Sequence, residues 1–144
     1  MKLFMSTKIL TILLFAMFLL FSCSDTDDDI IIIDSGGSSE YFLNNQTNKR
    51  IIAIFQKSES LGLGIDTTDI LEINTSKEVF QDFMIGVNPM PTDSFNEIKF
   101  FEADDLDNPI LILSPIQNQD WTLKSQDLND SGYGLSTFEF TITN

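Results

Sequence analysis

Thr137-Phe138-Glu139-Phe140-Thr141-Ile142-Thr143 alternates without a break between apolar and polar side chains. A period of two puts Phe138, Phe140 and Ile142 on one face of a strand and the threonines and Glu139 on the other. The same reading extends backwards along the chain. Tyr41 to Leu43 reads as a short first strand, closed by the polar run Asn44 to Asn48. Ile51-Ile52-Ala53-Ile54-Phe55 is continuously apolar, the pattern of a strand covered on both faces. Residues 57–68 are polar with two glycines and read as a loop. Asp69 to Thr75 alternates, with Leu71 and Ile73 expected inward. Val79 to Val87 places Phe83, Ile85 and Val87 on one face.

Pro89 and Pro91 break the chain before a further strand, Phe95 to Glu102. There Ile98 and Phe100 share one face, and Phe95 and Phe101 share the other. Pro109 to Leu113 follows, then a short strand from which Trp121 and Leu123 point one way. No segment keeps a 3.6-residue period. The 16 isoleucines and two alanines after Ser22 favour strands over helices. The expected fold is all-β: a small antiparallel β-sandwich, immunoglobulin-like, of about seven strands. Asp130-Ser131-Gly132-Tyr133, just ahead of the last strand, resembles the tyrosine corner of immunoglobulin-like domains. It also reads as a glycine-flanked turn holding a half-buried tyrosine.

The N-terminus has a different character. Lys2 and Lys8 precede an apolar run from Ile9 to Phe21. Thirteen helical residues reach roughly 20 Å, short of the ~30 Å needed to span a bilayer. A basic start, a short apolar run and a small residue at its end describe a secretory signal peptide over residues 1–22. The only cysteine of the chain follows at once. Leu20-Phe21-Ser22-Cys23 resembles the lipobox of bacterial lipoproteins, with Cys23 at the first mature position. The resemblance implies cleavage before Cys23 and acyl chains on its sulfur and amine, because two or more chains make a stable anchor where one does not. The following Ser24, Asp25, Asp27, Asp28 and Asp29 resemble the acidic export signal of surface lipoproteins of the Bacteroidota type. That resemblance implies an outer-membrane protein, lipid-anchored and exposed at the cell surface. Read by chemistry alone, the same aspartates are a solvated run that keeps a tether extended.

Residues 23–39 are expected to form that tether and residues 40–144 the sandwich. Ser35-Gly36-Gly37-Ser38-Ser39 has flexible-linker composition. Ile30-Ile31-Ile32-Ile33 breaks the pattern, either as a strand added to the domain edge or as an exposed aggregation hazard.

Charge and composition narrow the chemistry. Losing Lys2 and Lys8 with the signal leaves six basic residues against 22 acidic ones and lowers the net charge from −14 to −16. Such a surface repels phosphates, so nucleic acid is a poor partner. One cysteine permits no internal disulfide. With no histidine, Ser-His-Asp and Cys-His catalysis are excluded, as are the usual imidazole metal sites. Glu102, Asp104, Asp105, Asp107 and Asn108 crowd one turn and invite calcium, but the EF-hand spacing is absent. A solvated acidic turn is the competing reading. Leu61-Gly62-Leu63-Gly64 lacks the third glycine and the strand–turn–helix setting of a phosphate loop, so no cofactor is expected. Trp121 and Tyr133, with Tyr41, are the candidate ligand contacts, as an aromatic platform for a sugar ring. The expectation is a surface-anchored, non-catalytic protein that binds or scaffolds another surface component. Two alternatives follow: a carbohydrate-binding accessory of a nutrient-uptake system, and a small carboxylate hydrolase.

Overall fold

The structure, a computed structural model, describes residues 35–143. The expectations for residues 1–22 and for Ile30–Ile33 lie outside them. Eight strands form two four-stranded sheets. The first carries β4 (Thr75–Ile85), β1 (Gly36–Asn45), β8 (Gly134–Ile142) and β7 (Thr122–Leu128), in that order across the sheet. The second carries β3 (Ile65–Thr67), β2 (Ile51–Lys57), β5 (Phe95–Glu102) and β6 (Asp105–Leu113). A four-residue helix, α1 (Pro91–Ser94), sits on the crossing from β4 to β5. The result is a small immunoglobulin-like β-sandwich. Its pairings are antiparallel except one: β8 lies parallel to β1, so the first and last strands of the domain are neighbours.

The two inner faces meet in one core. Tyr41 and Leu43 of β1 and Phe138, Phe140 and Ile142 of β8 come from one sheet. Ile51, Ala53 and Phe55 of β2 and Phe95, Ile98 and Phe100 of β5 come from the other. Phe100 and Phe140 stack across the interface with ring centroids 5.6 Å apart. The alternation read in the last strand holds: its three large residues are buried and Thr141 between them is exposed.

Several local expectations give way to backbone detail. Residues 65–67, expected in a loop, pair with Ile54 to Gln56 as β3, which brings the strands among the described residues to eight. Asp69 to Asn74 forms no strand, and Thr75 opens β4. Leu71 alone bridges Ile51 and is buried, while Ile73 is exposed. Phe95 joins Ile98 and Phe100 in the core because a bulge at Asn96 resets the alternation. Phe101 faces the other way, as expected, and is buried outside that core. Ile52 and Ile54 are only half-buried, so β2 is not fully covered on both faces.

The tether reading fails over its last four residues. Gly36 to Ser39 begin β1, and Ser39 is fully buried. The glycines serve close approach rather than flexibility. A Cβ on Gly37 would lie 2.7 Å from Asn88 Cα and 2.9 Å from the Val87 carbonyl oxygen. One on Gly36 would lie 2.8 Å from the Phe83 ring. At the other end of β1, buried Asn45 staples the crossing between sheets. Its amide donates to the Lys49 and Leu71 carbonyls at 2.7 and 3.0 Å, and its carbonyl accepts from the Thr47 N–H at 3.0 Å.

Two substitutions test this packing. Phe140→Ala should lower unfolding free energy by about 3–5 kcal/mol, whereas Thr141→Ala should change it by less than about 0.5 kcal/mol. Equal losses would mean that β8 is covered on both faces. Gly37→Ala should cost about 1–3 kcal/mol through overpacking, a loss that flexible tether would not show in denaturant titration.

Candidate functional site

The densest polar chemistry lies where β1, β4 and α1 meet. The helix starts with Pro91 at its first position, and that start is held by Asp93, whose carboxylate accepts the Met90 N–H at 2.9 Å. That short turn delivers Ser94 to the interior, fully buried. Ser94 donates its hydroxyl hydrogen to the Asp82 carboxylate, and the Tyr41 hydroxyl lies 2.6 Å from Ser94 Oγ. With the Ser94 proton committed to Asp82, Tyr41 is the donor of the second bond. Beside them Ser39 donates to the Pro89 carbonyl at 2.6 Å. The second carboxylate oxygen of Asp82 is buried without a partner among the described residues.

Burial pushes the Asp82 carboxyl above the usual carboxylate range, and Asp93 nearby adds to the rise. The bonds from Ser94 and from the Ser39 backbone pull it back in part. Burial likewise drives the Tyr41 phenol upward. Asp82 is 7% exposed, and Tyr41 and Ser94 not at all. A serine beside a carboxylate looks like a nucleophile and its base, but this one is sealed from solvent. Its geometry suits a clasp between the edge strand and the helix.

Outside the clasp the surface opens into a hollow of about 430 Å³. Its lining includes Ser58, Glu59, Ser60, Met84, Asp93 and Asn96. Ser58 and Ser60 both donate to the Asp93 carbonyl, the latter at 3.1 Å, which fixes the loop after β2 against α1. On the opposite face of β4, Phe83 and Ile85 are 55% and 62% exposed. These residues share a face as the sequence indicates, and that face looks outward.

The sequence-derived contacts do not assemble. Trp121 is 6% exposed, stacked on Phe95 at 5.8 Å and edge-on to Tyr41 at 5.7 Å. Tyr133 precedes β8 at the closed end of the β7–β8 hairpin, whereas Trp121 precedes β7 at its open end. No platform joins them, and Tyr41 is in the core. Tyr133 is a half-buried turn tyrosine after Gly132, whose φ is +83°. Its hydroxyl donates to the Gly86 carbonyl at 3.2 Å, 47 residues upstream, so it latches a different loop and makes no tyrosine corner.

The acids expected in one turn are spread over a hairpin, with Glu102 ending β5, Asp104 in the turn and Asp105 opening β6; Glu102 accepts from Lys49 at 3.1 Å and Asp104 from Arg50 at 2.9 Å. Asp105 accepts from the Asp107 N–H and the Asn108 amide. Among the described residues no group of three or more acidic, cysteine or histidine side chains is poised for a metal. Cys23, Ser24, Asp25, Asp27, Asp28 and Asp29 lie outside the described residues. The sequence did hold a signal for the clasp. Asp82 is a lone acid inside Phe80-Gln81-Asp82-Phe83-Met84-Ile85, on the face opposite Phe83. Comparison with protein-family models and with curated proteins finds no match.

The clasp sets a pH dependence. A carboxyl whose folded-state pKa is raised stabilises the fold fully below the unfolded value of about 4, and the contribution is lost as pH rises through the folded value. Asp82→Asn stays neutral throughout. It should therefore be more stable than the parent at pH 8, with the gap closing as pH falls toward about 4 in paired thermal melts. Asp69, Asp105 and Glu139, all lowered by their hydrogen-bond partners, act in the opposite sense but cancel in that difference. A gap of constant size across the pH range would overturn the burial account.

Proposed function

We propose that this chain is a lipid-anchored, non-catalytic binding domain displayed on the outer membrane of a Bacteroidota-type cell, where it holds or scaffolds another surface component. One observation carries the reading: the sole cysteine, Cys23, stands directly after a short apolar signal ending in Leu20-Phe21-Ser22, with Asp25, Asp27, Asp28 and Asp29 behind it. The physical logic is attachment by acyl chains, with a charged tether holding the domain clear of the headgroups. Binding rather than catalysis is favoured because the Ser94–Asp82 pair is closed to solvent and the chain has no histidine to act as base. The glycan-binding alternative lacks its platform, since Trp121 and Tyr41 are core residues.

Two experiments check the proposal. Cys23→Ser should abolish incorporation of labelled fatty acid, and retained label would overturn lipidation at that position. Replacing Asp27, Asp28 and Asp29 together by alanine should leave lipidation intact while protecting the domain from protease added to whole cells. Unchanged shaving of that variant would reduce the acidic run to a plain tether.

A further inference from the structure

We infer that the Phe80–Ile85 stretch of β4 is a docking edge for an extended segment of a partner protein in which apolar and basic side chains alternate. The inference rests on the surface-binding reading and names its partner class.

The four outer strands of the sandwich are not equal. An open strand edge is a template for another chain, and proteins blunt it with short strands, proline, bulges or charge. β3 has three residues. β6 carries Pro109 and two register shifts. β7 is bulged at Lys124 and exposed throughout. β4 is eleven residues long and, among the described residues, has only β1 as a neighbour. It is bulged once, at Val79, which leaves Phe80 to Ile85 regular, without proline and without a basic side chain. Asp82 points inward from this edge. It is already buried against Ser94, so covering the edge adds little desolvation.

The two faces of the stretch ask for different side chains. Outward, Phe83 and Ile85 are the exposed apolar members, and Leu135 lies beyond Ser38 in the same cross-strand row as Phe83. Inward, Met84 borders the hollow that holds Glu59 and Asp93. The domain has no cation to spare for them. All six basic side chains of the described residues are already ion-paired, Lys49, Arg50, Lys57, Lys77, Lys99 and Lys124 each with its own carboxylate. A strand laid along β4 alternates its side chains between these two environments. Its apolar residues meet Phe83 and Ile85, and its basic residues reach toward Glu59 and Asp93. Main-chain bonds supply affinity and the alternate side chains supply selection. A second copy of this chain is the wrong occupant. It carries the same strongly negative charge, and its own Phe80–Ile85 stretch has no basic side chain to offer Glu59 and Asp93.

The test titrates a labelled ten-residue peptide of alternating valine and lysine into the protein as purified from its cells, lipidated or not. Two controls carry the same charge: five valines followed by five lysines, and the alternating peptide N-methylated at every second amide. The alternating peptide should bind at least about tenfold more tightly than either control. Phe83→Ala and Glu59→Lys, both at exposed positions, should each weaken it about tenfold with unchanged melting temperature. Equal binding of the block peptide would reduce the effect to bulk charge. Equal binding of the N-methylated peptide would exclude strand pairing. Either result, or indifference to both substitutions, overturns the inference, as does a dimer in sedimentation that Phe83→Ala dissolves. Failure here with fatty-acid labelling and surface shaving intact removes the docking edge alone. Loss of labelling with peptide binding intact removes the anchored-surface reading alone.

Discussion

The ring of Tyr41 touches Phe80, Phe95, Trp121 and Phe138, and its hydroxyl meets Ser94. One side chain therefore joins both sheets, the loop ahead of β7 and the helix between β4 and β5. Aromatic pairs of this geometry add about 0.5–1.5 kcal/mol each beyond burial. That matters in a domain with no disulfide, where net stability is of the order of 5–15 kcal/mol. The phenol also needs a polar partner in a dry interior, since an unpaired buried hydroxyl costs about 1–3 kcal/mol. Ser94 supplies it, and Asp82 in turn occupies Ser94. The polar chain follows from the aromatic core.

That dependence explains why an edge strand contains a buried carboxylate. Asp82 lets β4 be fastened to the helix without a large side chain, and the fastening turns β4 so that Phe83 and Ile85 face water. The same corner is drawn tight from below by Gly37, which lies against the Val87–Asn88 backbone and donates its N–H to the Val87 carbonyl at 2.8 Å. An exposed apolar face, an acidic hollow and a regular strand edge thus come from one set of packing constraints. Surface charge has little part in this: the pairs Lys49–Glu102, Arg50–Asp104 and Lys77–Asp69 are exposed on both sides, where such pairs are worth little.

Sequence alone determined the class of fold. Side chains alternate along Thr137 to Thr143 because a strand presents them to opposite faces, and that period survives any detail of packing. It also determined that no internal disulfide and no histidine chemistry is open to the chain, since those are matters of inventory. Period cannot say which face of a strand is inner. Phe83 and Ile85 share a face in the sequence, and only the position of Asp82 against Ser94 turned that face outward. A one-residue bulge is silent in composition, so Phe95 changed sides. Gly36 and Gly37 read as linker because glycine marks both flexible chain and close backbone approach, and only a neighbour at 2.7 Å tells them apart. Trp121 reads as ligand platform or, as is commoner for an aromatic in a small sandwich, as core, until the loop before β7 carries it against Tyr41 and Phe95. Those choices depend on contacts between residues far apart in the chain, and no local pattern encodes them.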